Sequence, residues 1–205
     1  KDPKRFFVAR YQKVRQGISR GDPRWTPWAK EVEQLNRDRT LLDDFPLLVY
    51  DPSQVMLGMR DRDQTELFLR TDTHWRPKVV ERVAVDLARF LKEADLKDMP
   101  EEEAPRLHFA PIQASQLGDV AALLRLPAHQ QLIPAEQVSL NQVQEQDSLW
   151  RPDPQAAALF LGDSYANIYS LAAMGWGESG GLVEQLSAAW QRPVDALVRK
   201  DLGAH

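Results

Sequence analysis

The sequence predicts an α/β layered domain with a largely parallel central sheet flanked by helices, and three observations predict it. Apolar runs of strand length alternate along the chain with amphipathic runs of helix length. Two strings that carry reactive side chains, Thr71-Asp72-Thr73-His74-Trp75 and Gly162-Asp163-Ser164-Tyr165, each follow one of the short apolar runs. Sheets of this kind gather their sites at the carboxyl ends of strands, so a shared placement ties the two strings together.

The elements follow in order. A first helix is signalled from Pro23 to about Arg39: Asp22 can cap it, Pro23 fits its first turn, and Trp25, Trp28, Val32 and Leu35 recur on one face. Pro46 to Tyr50 reads as a short buried strand ended by Asp51-Pro52. Asp61 to Glu66 is polar and reads as a loop, and Leu67 to Arg70 as a second strand running into the Asp-Thr-His-Trp string. Pro77 opens the strongest helix, with Val80, Val83, Ala84, Leu87, Leu91 and Ala94 on one apolar stripe. Asp95 to Pro105 is acidic, and Glu101 to Glu103 are expected to face solvent. Between Arg106 and Pro154 the pattern weakens to a short strand near Leu107–Phe109, a helical turn over Asp119–Leu126 and a Gln-rich stretch. Ala156 to Leu161 reads as a buried strand that delivers Gly-Asp-Ser to a helix beginning near Tyr165. A helix over Gly181–Trp190 and a last strand over Val194–Val198 complete the expected fold.

Composition excludes several functions. A chain of 205 residues with 43% apolar and 27% charged residues suits one buried core. The formal charge of −4 and the scattered basic residues give nucleic acid no phosphate-tracking surface. No apolar run reaches the roughly 18 residues of a membrane span. The chain opens on a charged segment, not on a signal peptide. The absence of cysteine removes disulfides and thiolate ligands, and no histidine pair has metal-ligand spacing, so no metal is expected. His108 and His129 lie in weakly patterned segments. The glycine-rich run Gly175 to Gly181 lacks the spacing of a phosphate loop, and reads as a wall of the site or a source of a second oxyanion N–H.

The two strings supply an acid, a base and a nucleophile. A serine hydroxyl needs an imidazole to take its proton, and the imidazole needs a carboxylate to hold its tautomer. Asp72 and His74 are two residues apart, so an extended backbone would set both on one face. Ser164 would open a helix, where free N–H groups favour an oxyanion. The competing reading is capping: Asp163 or Ser164 for one helix, Asp72 or Thr73 for the other. Trp75 is more often a core residue than a ligand-stacking one. Alone, each string favours capping. Together, at sheet ends, they favour a site.

Asp72-Thr73-His74-Trp75 followed by Pro77 and an amphipathic helix, then Gly162-Asp163-Ser164-Tyr165 after an apolar strand, resembles the alginate O-acetyltransferase family. These are SGNH-hydrolase-like proteins of bacterial exopolysaccharide secretion systems. The Gly118-Asp119 turn also looks like a family feature. Ordinary SGNH hydrolases carry the serine block first. Here the order is reversed, as in the circularly permuted alginate acetyltransferases, and the base block reads Asp-x-His, not Asp-x-x-His. The glycine and asparagine blocks of ordinary members are not assigned to positions here. The resemblance implies one SGNH-hydrolase-like domain over residues 1–205, which starts without signal or anchor as a trimmed domain would.

By that resemblance Ser164 is the acetylated nucleophile, His74 the general base and Asp72 its orienter, with Tyr165, Asp163 and Trp75 as supporting residues. The resemblance implies a periplasmic location and a polysaccharide acceptor, with acetyl groups supplied by a membrane-bound acyltransferase, and it implies no cofactor. An O-acetyltransferase acting on an extracytoplasmic polysaccharide is the leading expectation. The alternatives are a carbohydrate acetylesterase on the same triad, and a non-catalytic polysaccharide-binding or assembly subunit. Six tryptophans and four tyrosines give the last of these material for sugar stacking.

Overall fold

The computed structural model describes residues 5–7 (as backbone), 48–94, 96, 99–127 and 129–198. The expected helix over 23–39 lies outside them. So does the start of the expected strand at 46–50, and Leu48–Tyr50 carry no regular structure. Asp51-Pro52 does not end a strand but opens a helix, α1 (Ser53–Asp61), which the sequence analysis did not assign. Asp51 starts it by accepting the Ser53 N–H at 3.0 Å, an Asx turn that frees the backbone to coil. Met56, Leu57 and Met59 then point into the core.

Helix α2 (Pro77–Glu93) matches its prediction. Arg76 is extended, Pro77 occupies the first turn, and no side chain caps the end. Val80, Val83, Ala84, Leu87 and Leu91 are all buried, as expected, while Ala94, expected on the same stripe, is the C-cap and half-buried. They pack against the apolar face of the helix near the chain's end, α5 (Leu182–Trp190), whose Leu182, Val183, Leu186 and Trp190 are buried in turn. Helix on helix is the centre of the core.

Two sheets flank this pair. In the first, strand β1 (Arg5–Phe7), strand β5 (Ala158–Gly162) and strand β6 (Asp195–Val198) run parallel in the order β1-β5-β6, with Phe7 opposite Phe160 and Phe160 opposite Ala196. In the second, β2 (Leu107–Gln116) and β3 (Glu136–Glu145) form an antiparallel ladder from Leu107–Glu145 to Gln116–Glu136, and β4 (Ser148–Leu149) adds to β3. The class is α/β, as expected. The largely parallel central sheet is met only by the first sheet, because half of the described strands are antiparallel. The Gln-rich stretch hid β3. Its inward residues Val138, Leu140 and Val143 change phase by one between Leu140 and Val143, which breaks the period-two signal.

Two local expectations also change. Leu67–Arg70 is not a sheet strand, since only Phe68 pairs, with Trp75, in an isolated antiparallel bridge. Glu102 does not face solvent freely: it accepts the Ala157 N–H at 2.7 Å and pairs with Arg192 at 2.7 Å.

Helix α5 contains a buried acid in its first turn. Glu184 accepts a hydrogen bond from the Ser170 hydroxyl at 2.8 Å, and burial pushes its carboxyl up to about 7. A raised folded-state value means that Glu184 favours the fold fully only below its unfolded value of about 4.3. That contribution is lost as pH rises through 7. Glu184→Gln is therefore expected to be the more stable protein at pH 8, by on the order of 3 kcal/mol. In urea melts at a series of pH values, the advantage should vanish below pH about 4.

Candidate active site

The Asp-Thr-His string lies in a bend, not in an extended strand. Leu67 and Arg76 close its base, with the Arg76 N–H on the Leu67 carbonyl at 3.0 Å and the Leu69 N–H on the His74 carbonyl at 3.0 Å. Within this loop Asp72 Oδ1 accepts the backbone N–H of His74 at 3.0 Å and lies 2.6 Å from His74 Nδ1. The pair is thus built by an Asx turn folding the carboxylate over residue i+2. An ionised carboxylate only accepts, so Nδ1 carries the shared proton, and in a neutral ring Nε2 is then the acceptor. Both side chains are buried.

Three segments converge on Asp72. Its Oδ1 takes both His74 donors, while Oδ2 takes the backbone N–H of Asp119 at 3.0 Å and the indole N–H of Trp176 at 3.0 Å. Burial by itself would raise this carboxyl. The hydrogen bonds outweigh burial, the His74 side chain first, then the Asp119 and His74 backbone N–H groups and Trp176, and hold it down at about 2.

Asp119 opens helix α3 (Asp119–Leu123) and faces the same loop. Its carboxylate accepts the Thr73 N–H at 2.7 Å and the Thr73 hydroxyl at 2.6 Å. Glu136, at the start of β3, grips the other side, accepting the Arg70 N–H at 2.8 Å and Arg76 at 2.6 Å. Gly118 is required by close approach: a Cβ there would collide with the Thr71 carbonyl and with Asp72 Cβ.

The serine string sits at the carboxyl end of β5, as predicted. Asp163 is the N-cap of a four-residue helix, α4 (Ser164–Asn167), and accepts the Tyr165 N–H at 3.0 Å. Capping is thus done by Asp163, and Ser164 is the first helical residue, half-buried. The neighbouring Tyr165 joins the two strings. Its hydroxyl donates to the Thr73 carbonyl at 2.8 Å, its carbonyl accepts the Trp75 indole N–H at 2.9 Å, and its ring lies 4.9 Å from the imidazole. Trp75 is wholly buried, a core residue as the more common reading has it. His74 Nε2 is buried without a hydrogen-bond partner among the described residues, so Asp72 and His74 are joined while the His74–Ser164 hydrogen bond is not made. Such contacts commonly tighten only when substrate is bound.

Asp72, His74 and Asp119 offer ligand atoms within 4.8 Å of one another. The oxygens of both carboxylates already accept N–H or O–H donors. A cation would have to displace them, so the cluster fits an orienting role better than a metal cradle. His108 instead meets Gln144 on the second sheet, at 3.2 Å. A cleft of about 530 Å³, lined in part by Glu102, Arg106, Trp150 and Arg151, lies toward the opposite ends of β5 and β6. It contains neither string.

The model of the family described as the SGNH hydrolase-like domain of acetyltransferase AlgX matches residues 29–201. The chain belongs to this family. Among solved structures, the O-acetyltransferase domain of Pseudomonas putida AlgJ shares 19% identity at a TM-score of 0.56, covering 80% of this chain and 52% of that one. Pseudomonas aeruginosa AlgX shares 15% identity at a TM-score of 0.54, covering 96% of this chain and 43% of that one. At such identities the likeness is one of fold. The chain spans about half the length of either structure. No curated protein sequence matches it.

Sequence reasoning passed over Trp176 and Glu136, and noted Asp119 only as part of a turn. The glycines on both sides of Trp176 were the available signal. Asp72, held at about 2 against an unfolded value of about 3.9, stabilises the fold above pH 4, and this is lost as pH falls toward 2. Asp72→Asn should therefore cost on the order of 2 kcal/mol at pH 7, with the deficit shrinking as denaturation is repeated toward pH 2. Gly118→Ala is expected to lower both stability and any His74-dependent activity, because the added methyl group pushes on Asp72 itself.

Proposed function

We propose that this domain is a serine O-acetyltransferase that passes an acetyl group through Ser164 onto hydroxyls of an extracytoplasmic polysaccharide of the alginate type. The observation that carries the reading is the Asp72–His74 pair, buried, bonded through Nδ1, and with an Nε2 that has no partner among the described residues. Membership of a family described as acetyltransferase supports it. AlgJ of Pseudomonas putida, with which the fold is shared, is described as having an O-acetyltransferase domain.

In this mechanism Nε2 takes the proton of Ser164 as Oγ attacks the acetyl carbonyl. The oxyanion develops beside the N-terminus of α4, where the Ser164 N–H is a donor. The imidazolium then protonates the leaving group, and acetyl-serine remains. A sugar hydroxyl loses its proton to the same Nε2 and attacks the ester, and Ser164 recovers its hydroxyl. Asp72 holds the imidazole and stabilises its charge in both halves. The acceptor is a polysaccharide, a membrane-bound acyltransferase supplies the acetyl group, and the domain works outside the cytoplasm, in the periplasm. Tyr165 and Trp75 hold the serine segment against the base.

Incubation with an activated acetyl ester, followed by intact-protein mass spectrometry with and without acetyl-free oligosaccharide, tests this. Wild type should carry an acetyl adduct that discharges onto the sugar, and Ser164→Ala should lose turnover by roughly a thousandfold or more. Discharge as free acetate regardless of sugar would make the domain an esterase. Ester consumption by Ser164→Ala at the wild-type rate would end the proposal. Glycan retention without turnover in either protein would identify a binding subunit.

A further inference from the structure

We propose that Trp176 is a positioning residue for acyl transfer: its buried indole N–H fixes the Asp72 carboxylate and thereby the orientation and proton affinity of His74. This rests on the acyltransferase reading above.

The sequence around Trp176 is built to place one side chain. Gly175 and Gly177 have φ of +80° and +120°, in the left-handed region that side chains disfavour. A Cβ at Gly175 would collide with the Gln116 amide, and one at Gly177 would press on Leu140 at 3.1 Å. Between these two turns Trp176 is driven inward until it is 1% exposed, with its Nε1 3.0 Å from Asp72 Oδ2. Filling the core requires only the ring. The N–H has one acceptor here, and it is the carboxylate that holds the base.

The chemistry follows from sharing charge. Each donor to Oδ2 draws negative charge away from Oδ1, the oxygen that faces Nδ1. Removing the indole N–H leaves more charge on Oδ1 and frees the carboxylate to turn. His74 should then bind its proton more tightly while holding a less definite direction. The other titratable or charged groups facing the pair are Asp119 from α3, Tyr165 and Tyr169 from the serine segment, and the Arg76–Glu136 ion pair behind the loop. Trp176→Phe alters none of them and keeps an aromatic ring at the position, though a smaller one.

The test compares the pH profiles of kcat/KM and kcat for acetyl-ester turnover by wild type, Trp176→Phe and Ser164→Ala. Trp176→Phe is expected to lose about tenfold in kcat with KM little changed, the worth of one charge-assisted hydrogen bond. Its acidic limb should move to higher pH by about half a unit to one unit. A merely structural tryptophan would lower activity without moving that limb. A Trp176→Phe profile that superimposes on wild type, with Ser164→Ala inactive, overturns the role of Trp176 and leaves the acyltransferase reading intact. Activity in Ser164→Ala overturns both. Should Trp176→Phe fail to fold, wild-type protein with 15N-labelled indoles carries the same question. The Trp176 N–H resonance should titrate with the apparent pKa of the acidic limb, and a resonance that does not move across that range overturns the proposal.

Discussion

The Asp72 carboxylate is the constraint on which the rest of the site depends. A buried carboxylate is costly unless its oxygens are met by donors. Here four N–H groups from three stretches of chain meet it: the loop that bears it, the turn at Gly118–Asp119, and the glycine-flanked Trp176. One anion collects them, and the low value of its carboxyl records that the donors outweigh burial.

Further side chains keep the loop from relaxing around that anion. Asp119 and Glu136 accept its backbone N–H groups from opposite sides, while the hydroxyls of Tyr165 and Tyr169 donate to the carbonyls of Thr73 and Trp75. A loop of irregular backbone has no ladder of its own, so its polar groups must be satisfied by side chains from elsewhere. Both acids sit at the start of an element, α3 or β3, where the backbone is anchored. The second sheet is therefore not an appendage to the α/β fold. It supplies one of the clamps, and its long antiparallel ladder is what holds that clamp rigid.

Legibility in the sequence followed the same division. Helices α2 and α5 and strands β5 and β6 were readable, because each carries a strong apolar face or run with a Pro or Gly at its edge. The pairing of Asp72 with His74 was also readable, from residue type and spacing, and the capping question was decided by Asp163 taking that job. What could not be read was the loop conformation. The expected strand at Leu67–Arg70 placed Asp72 and His74 on one face by alternation, whereas the fold brings them together by an Asx turn. The outcome is the same pair for a different physical reason. The bonds of Trp176 and Glu136 were beyond reach, since their partners lie 104 and 65 residues away and no local period encodes such a bond, although the glycines around Trp176 marked its position.

Ser164, the nucleophile of the proposed mechanism, depends on its neighbours more than on its own helix. Four residues make barely one turn, and a helix that short has little intrinsic stability. The position of Ser164 is instead set by the residues on either side of it. Asp163 caps the turn from before, and Tyr165 hooks it to Thr73 and Trp75 from behind. Thr73 and Trp75 flank His74 in the chain. Tyr165, next to Ser164, is thus bonded to both neighbours of His74, although Nε2 itself makes no hydrogen bond among the described residues. Such an arrangement fixes the separation of the two segments while leaving the reacting contact open. That suits the proposed mechanism, in which His74 serves two partners in turn, a serine hydroxyl in the first half and an acceptor hydroxyl in the second. A permanent His74–Ser164 bond would favour only the first.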